Sequence, residues 1–177
     1  QMSIAAEPAA KAPASAPADA NPLLAPWTGP YEGVPPWDKL DPDLFPDAFE
    51  KGMAEVKAEV QAVIDNPAAP TFENTIAAME RSGKALDRAA TVYNVWSDTV
   101  SSAAFRAVEQ EMAPKLAEHR DKVMQNARLF ERIEKVYNTR ESSGLSNEQQ
   151  RLVWEYYTDF LRDGAKLTPE RKAAVAG

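Results

Sequence analysis

The stretch "DNPAAPTFENTI", residues 65–76, both ends one helix and begins another. Proline lacks a backbone N–H and disfavours the helical conformation of the residue before it, so Pro67 and Pro70 stop a helix that arrives from the N-terminal side. Thr71 is a suitable N-cap for the next helix, and Phe72 and Ile76 lie four residues apart on one face of it. The stretch therefore predicts a corner between two packed helices.

Apolar residues on both sides of this corner recur at three- and four-residue steps, which is typical of helices that bury one face. The repeat predicts one helix over about 46–65 and a second over about 72–98, and together they form an αα-hairpin. Gly83 falls inside the second helix, where it weakens the helix slightly and is expected to mark a close helix crossing.

A third helix is predicted from Ser102, its N-cap, to about Asn126. Pro114 lies inside this helix and is expected to kink or break it near Met112. A short fourth helix covers about 129–137, and the loop "NTRESSG" comes after it.

A fifth helix opens at Ser146 and Gln149, which have the spacing of a capping box, and ends at Gly164 in a C-cap position. Thr168 and Pro169 then have the pattern of a further helix start. Because the sequence stops at Gly177, this start predicts that the chain is a truncated part of a longer protein.

The N-terminal quarter differs from the rest, since ten of the fourteen prolines precede Phe49. Residues 1–20 contain nine alanines and three prolines and are predicted to be a flexible tether. A tether of this composition favours an exported, periplasmic protein, with the cytoplasm as the alternative. Residues 21–45 alternate prolines with large aromatic side chains and predict an extended arm lying across a helical segment, 46–177. The aromatic residues of this arm are Trp27, Tyr31, Trp37 and Phe45.

Composition excludes several classes of function. The formal charge is −7, from 20 Lys and Arg against 27 Asp and Glu, and no basic stripe interleaved with aromatics is present, so no nucleic-acid partner is expected. The absence of cysteine excludes disulfides and thiolate chemistry. No run of 18 apolar residues occurs, and no membrane span is predicted. With no strand-like alternation either, the predicted fold class is all-α, built from helical hairpins and a bundle.

His119 is the one histidine of the sequence and the first candidate for chemistry. Zinc peptidases use HExxH, but Lys115 and Val123 stand four residues to either side of His119. No GxSxG turn provides a serine nucleophile. His119 is therefore interpreted as a structural or surface residue of the third helix, with a catalytic or ligand role as the alternative.

Acidic and aromatic groups are the remaining candidates. The carboxylate pairs alternate with Lys and Arg and are interpreted as solvated helix faces; they are Glu55/Glu59, Asp41/Asp43 and Glu131/Glu134. The same interpretation covers Arg128 and Arg132. Four aromatic residues could line a ligand groove but are interpreted as core: Trp96, Trp154, Tyr156 and Tyr157. The sequence thus predicts no catalytic, cofactor-binding or metal-binding residue in this chain.

Four motifs in order carry a resemblance to a known family. They are "NPLLAPWTGPYEGVPPWDKLDPDLFPDAFEKGM", "PTFENTIAAMERSGKALDR", "EMAPKLAEHRDKVMQNARLFERIEKVY" and "GLSNEQQRLVWEYYTDFLRDGAKL". Together they resemble the N-terminal part of the thimet-oligopeptidase family of zinc metallopeptidases, nearest to its bacterial peptidyl-dipeptidase (dipeptidyl carboxypeptidase) group, with oligopeptidase A next. Trp37 stands where phenylalanine is the commoner residue.

The resemblance implies an almost wholly helical enzyme with a deep channel for short peptides, from whose C-terminus dipeptides are released. It also implies a zinc ion held by HExxH and a downstream Glu, all beyond Gly177. The intact protein is thus expected to be a metallopeptidase, and this chain alone to be inactive, to wall the channel and to bind the missing catalytic portion. An isolated fragment of this kind is expected to self-associate through uncovered apolar surface.

The alternative is a stand-alone helical interaction module, in which the arm from Trp27 to Trp37 docks a protein partner.

Overall fold

The computed structural model describes residues 21–30, 33–99 and 102–167. Across these ranges the backbone pairing between extended segments is limited to one antiparallel bridge, Thr28 with Val34, which confirms the all-α prediction. Short turns of 3-10 helix (Trp37–Lys39) and π-helix (Phe72–Ile76) accompany the α-helices. The α-helices are α1 (Leu44–Ile64), α2 (Ala77–Arg81), α3 (Lys84–Thr99), α4 (Ala103–Met124), α5 (Ala127–Thr139) and α6 (Asn147–Arg162).

The corner at residues 65–76 is held by a buried arginine from α5. Arg132 is 9% exposed. Its guanidinium donates to the carbonyl oxygen of Asn66 at 2.9 Å, to that of Ala68 at 3.4 Å and to Asn74 Oδ1 at 3.2 Å. The interpretation of Arg132 as part of a solvated face is therefore wrong. The sequence around Arg132 has the mixed charges of an exposed helix face, but in the structure its side chain points toward the proline-rich corner. The backbone carbonyls of this corner have no partners within a helix, so they need a donor from elsewhere.

Asn74 forms hydrogen bonds within the corner itself. Thr71 Oγ1 accepts from the Asn74 N–H at 3.2 Å, and Asn74 Oδ1 accepts from the Thr71 N–H at 2.8 Å, which confirms the predicted cap as a reciprocal capping box. The Asn74 side-chain amide also donates to the Ala69 carbonyl at 2.9 Å. Beside them Ile76 is fully buried and Phe72 packs on the same apolar cluster.

The predicted continuous helix over 72–98 is wrong, because it divides at Gly83. Gly83 has φ +78°, and Ser82 before it is extended, so the chain leaves α2 and re-enters a helix as α3. Side chains other than glycine are strained at this backbone conformation. The freed Gly83 N–H donates to Glu59 Oε2 on α1 at 2.8 Å, which satisfies the donor that the break exposes.

The close helix crossing that was expected at Gly83 lies instead at Gly52. A methyl group added to Gly52 would stand 3.0 Å from Leu86 Cα and 3.1 Å from Leu86 Cβ. At this point α1 and α3 pass each other in opposite directions, since Phe45 meets Trp96 while Glu59 meets Gly83. The absent side chain of Gly52 is therefore what allows the two helices to approach.

Substitution of Gly52 tests this crossing. Glycine to alanine inside a helix ordinarily stabilises by about 0.5–1 kcal/mol. Here we expect Gly52→Ala to lower the free energy of unfolding by about 1–2 kcal/mol and Gly52→Val by more, because the backbone of Leu86 must move. Urea denaturation measures both. Ala58→Gly, at an exposed site on α1, calibrates the helix propensity, and a stabilised Gly52→Ala protein would contradict the crossing.

In the part of the chain that the structure describes, the core consists of two apolar clusters, and α1 contributes to both. The first, which we call the aromatic cluster, joins the beginning of α1 to α3 and α4; its buried members are Leu23, Phe45, Ala48, Phe49, Ala89, Val92, Phe105, Val108 and Met112. The second, the aliphatic cluster, joins the end of α1 to the corner, α5 and α6. Its buried members are Val56, Val60, Val63, Ile64, Ile76, Leu129, Phe130, Ile133, Val136, Val153, Phe160 and Ala165.

The segment before α1 is anchored at its start. Leu23 is fully buried in the aromatic cluster. Asn21 Nδ2 donates to the Leu44 carbonyl at 2.8 Å, and Arg88 Nη2 donates to the Leu24 carbonyl at 2.6 Å. Trp37, by contrast, is 45% exposed. The boundaries of the arm and of the helical segment stay predictions, and Tyr31 lies outside the described residues.

The remaining helix ends agree with their predicted caps. Ser102 Oγ accepts from the Phe105 N–H at 3.0 Å, and Ser146 forms the predicted capping box with Gln149. Gly164, with φ +85°, ends α6 in a Schellman motif, in which the Ala165 N–H donates to the Phe160 carbonyl at 2.9 Å.

Pro114 does not break α4, which runs without interruption from Ala103 to Met124. Of the kink or break predicted near Met112, the break is therefore wrong, and the kink stays a prediction. Proline removes one backbone donor, which leaves the carbonyl of Gln110 without its helical partner. Both Pro114 and Gln110 are exposed, so water can reach that carbonyl.

The predicted tether, residues 1–20, and the helix start at Thr168 and Pro169 lie outside the described residues. Among the helices that the structure describes, none is long and apolar enough to cross a membrane.

Candidate functional site

A groove opens between α1 and α4, which run side by side in the same direction. Two ion pairs stand near its ends. Lys115 Nζ lies 3.1 Å from Glu50 Oε1, and Arg128, just past α4, places Nη2 3.0 Å from Asp65 Oδ1. The groove between them has a volume of about 430 Å³, within the usual range for ligand pockets.

Each wall of this α1–α4 groove is about three helical turns long, and its residues recur at three- and four-residue steps. The wall from α1 consists of Met53, Ala54, Lys57, Val60, Gln61 and Ile64. The opposite wall consists of Lys115, Glu118, His119, Lys122 and Val123 from α4 and of Asn126, which follows α4 and caps α5. Apolar side chains form the floor of the groove. Its rim carries three lysine side chains and one carboxylate, so the positive charges outnumber the negative ones. The groove therefore suits binding, and it presents no nucleophile paired with a base.

The rim lysines differ in their partners. Lys115 Nζ donates hydrogen bonds to the carboxylates of Glu111 and Glu50, and these bonds raise the pKa of Lys115. Lys122 pairs with Glu118 at 2.5 Å, and this hydrogen bond lowers the pKa of the Glu118 carboxyl. Lys57 is exposed and forms no ion pair with any residue that the structure describes.

His119 lies on α4, as the sequence predicted, but it is half-buried in the wall of the groove. Burial, and then the charge of Lys122, lower the pKa of the imidazole below its ordinary value of 6.5. The neutral ring is thus the form that this environment favours near neutral pH.

A direct titration tests the environment of His119. As the pH falls below about 6.5, the unfolded chain takes up this proton before the folded protein does, so stability is lost over that window. Because the chain has one histidine, a single imidazole NMR signal reports the folded-state pKa. We expect that pKa to lie below 6.5 and His119→Gln to flatten the pH dependence of the unfolding midpoint between pH 5 and about 6.5. An ordinary or raised value would contradict the burial of the ring.

A second hollow of about 330 Å³ opens between α6 and α2, lined by Met124, Leu152, Phe160 and the carboxylates Glu80, Glu155 and Asp159. Tyr156 crosses it and donates its hydroxyl to Glu80 Oε1 at 2.6 Å. Burial and this carboxylate raise the pKa of the Tyr156 phenol. The hydrogen bond joins α6 to α2, the helix that follows the corner.

The aromatic candidates divide among core and surface. Trp96 packs in the aromatic cluster against Phe105, with ring centroids 5.6 Å apart, and Tyr157 stacks on Tyr137 at 3.9 Å. Trp154, however, is 47% exposed, so its interpretation as core is wrong. Its position on α6 falls outside the face that meets α5, which the helical spacing alone did not distinguish.

The acidic candidates do not converge on a site. Asp41 accepts from the Asp43 backbone N–H at 3.0 Å, Glu59 accepts from Gly83, and Glu134 pairs with Lys166 at 2.7 Å. Glu55 and Glu131 are exposed. In residues 21–30, 33–99 and 102–167, no three His, Asp or Glu side chains come together as metal ligands. The described residues therefore do not fit a zinc site.

Comparisons with known proteins give a consistent relationship. The chain is 32% identical over 115 residues to a dipeptidyl carboxypeptidase of Salmonella typhimurium and 35% identical over 114 residues to one of Escherichia coli. No protein-family model matches the chain.

The extent of these matches is uneven. They cover 65% and 64% of this chain but 17% of each relative, so the chain spans about a sixth of the length of the curated relatives it matches. The resemblance that the four motifs predicted is thereby confirmed: the chain is related in sequence to part of the dipeptidyl carboxypeptidases.

Proposed function

We propose that this chain is the helical N-terminal segment of a zinc-dependent dipeptidyl carboxypeptidase, and that it serves the intact enzyme by forming part of the wall of the substrate channel. The observation that carries the proposal is the identity of 32–35% with two dipeptidyl carboxypeptidases. A segment that spans 17% of such a relative contributes through its surface and its packing rather than through a complete active site.

The chemistry of the described residues also supports the proposal that the active site belongs to another part of the enzyme. Several of their carboxylates accept backbone hydrogen bonds or form surface ion pairs, and the charged group that acts on the His119 imidazole is Lys122. In this proposal zinc, which polarises the scissile carbonyl, is held by the remainder of the enzyme. The chain alone then binds no zinc and releases no dipeptide. The periplasmic location stays a prediction, since it depends on residues 1–20.

A chimera tests the proposal. The Escherichia coli relative is made with this chain in place of the segment that it matches, and dipeptide release from an N-terminally blocked peptide is measured. We expect the chimera to retain metal-dependent release and the isolated chain to have none, with or without added Zn²⁺. Activity of the isolated chain, or a folded chimera without activity, would contradict the proposal.

The exposed side chains Val34 and Trp37 favour the second candidate, a stand-alone interaction module, because large apolar groups at 47% and 45% exposure can anchor a partner. Sedimentation of the isolated chain over a concentration series separates the two. A fragment with uncovered apolar surface self-associates, whereas a module stays monomeric.

A further inference from the structure

We propose that the α1–α4 groove is the docking site for an amphipathic, acidic helix that belongs to the remaining portion of the same enzyme. This inference rests on the proposed function, because it assumes that such a remainder exists. It goes further by assigning the contact to one groove and by stating the chemistry of the element that fills it.

The shape of the groove selects a helix. The residues that line it recur at three- and four-residue steps along α1 from Met53 to Ile64 and along α4 from Lys115 to Val123. Two helices that run side by side present a channel into which the side-chain ridge of a third helix fits. Such an anchor helix inserts apolar residues at i, i+3 or i+4, and i+7, which matches a groove three turns long.

The charge of the groove selects an acidic helix. Its walls carry Lys57, Lys115 and Lys122 against Glu118, in a chain whose formal charge is −7. Lys115 and Lys122 already have glutamate partners at exposed sites, where ion pairs are weak and can exchange. Lys57 has no such partner among the described residues, so a carboxylate arriving above the middle of the groove meets it directly.

The source of the helix is inferred from the lengths involved. The chain covers 17% of each dipeptidyl carboxypeptidase that it matches, so in those relatives most of the polypeptide lies outside the matched segment. Val60 and Ile64 at the bottom of the groove are buried in the aliphatic cluster, whereas Met53 and Val123 on its walls are half-buried and leave apolar surface that a neighbouring portion can cover.

The test uses the chimera with the Escherichia coli relative and two matched tryptophans. Ala54 lines the groove and is exposed, whereas Ala117 is exposed on α4 outside the groove. We expect Ala54→Trp to fill the groove and to lower the melting temperature of the chimera by about 4–8 °C, with at least a tenfold loss of kcat/KM. Ala117→Trp is expected to change neither. In the isolated chain the two variants are expected to have the same melting temperature, because no helix then occupies the groove.

Charge reversal supplies the second measurement. Lys57→Glu is expected to destabilise the chimera but not the isolated chain, and Lys84→Glu, at an exposed lysine that does not line the groove, is expected to leave both unchanged. If Ala54→Trp matches Ala117→Trp in an active chimera, the docking inference is overturned while the proposed function stands. If the parent chimera folds without activity, the proposed function fails and the inference fails with it.

Discussion

Arg132→Ala is expected to lower the free energy of unfolding by about 3–4 kcal/mol, because the guanidinium is buried and each of its partners is a backbone or amide oxygen at the corner. Alanine leaves the carbonyls of Asn66 and Ala68 without their donors and opens a cavity beside α5. Chemical denaturation gives the loss directly, and for a chain of this size it corresponds to a fall of about 6–16 °C in melting temperature.

Arg128 provides the matched control for this substitution. It lies one turn before Arg132 on the same helix, but it is exposed and pairs with Asp65 at the surface. We expect Arg128→Ala to leave the unfolding midpoint unchanged. Arg132→Met keeps the apolar stem without the donors, so it separates lost packing from lost hydrogen bonds. Equal midpoints for Arg132→Ala and Arg128→Ala would mean that the arginine does not hold the corner.

Phe45→Ala is expected to cost about 3–5 kcal/mol, because the ring is fully buried at the centre of the aromatic cluster. Its centroid lies 5.4 Å from that of Trp96, 5.6 Å from Phe105 and 5.8 Å from Tyr93. The pairs with Phe105 and Tyr93 are edge-to-face, an arrangement whose attraction adds to the free energy gained by burying apolar area. The near-ultraviolet circular dichroism of the folded protein should weaken as well, since Trp96 and Tyr93 lose a fixed neighbour.

Phe45→Leu and Trp37→Ala are the control variants for Phe45→Ala. Leucine fills most of the space and is expected to restore all but about 1–2 kcal/mol of the stability. Trp37 has a larger ring but is 45% exposed, so its removal is expected to change the midpoint little. A Phe45→Ala protein as stable as Trp37→Ala would show that the aromatic cluster contributes much less than its burial implies.

The sequence predicted the parts of the fold that local chemistry determines. Pro67 and Pro70 stop α1, while Thr71, Ser102 and Ser146 cap the helical turns that begin after them, because each acts within three or four residues of itself. Gly164 ends α6 for the same reason.

Features that depend on distant neighbours were beyond the same reasoning. The apolar repeat continues across Gly83, so periodicity could not reveal the break, which needs Glu59 from another helix to accept the freed N–H. Gly52 was not recognised as the crossing, because its importance comes from Leu86 on the opposite helix. The residues next to Arg132 in the sequence are typical of an exposed helix face. In the folded protein its side chain is nevertheless buried, because residues distant in the sequence cover it.

The candidate groove could not be predicted for a related reason. Its residues have ordinary helical spacing in each wall, and Lys57 and His119 are 62 positions apart in the sequence. They lie in one groove because the aromatic cluster packs the beginning of α1 against α4, and such long-range packing leaves no local pattern in the sequence. The family resemblance, in contrast, was visible from four contiguous motifs.

The sharing of α1 between the two clusters has a consequence for local unfolding. A protein with two apolar clusters can open one of them while the other persists, and such units are detected by amide hydrogen exchange. Here Phe45 and Phe49 anchor one end of α1 in the aromatic cluster, while Val60 and Ile64 anchor the other in the aliphatic cluster. Neither cluster can come apart without releasing half of that helix, so the amides in the middle of α1, near Met53 and Val56, should exchange only through global unfolding.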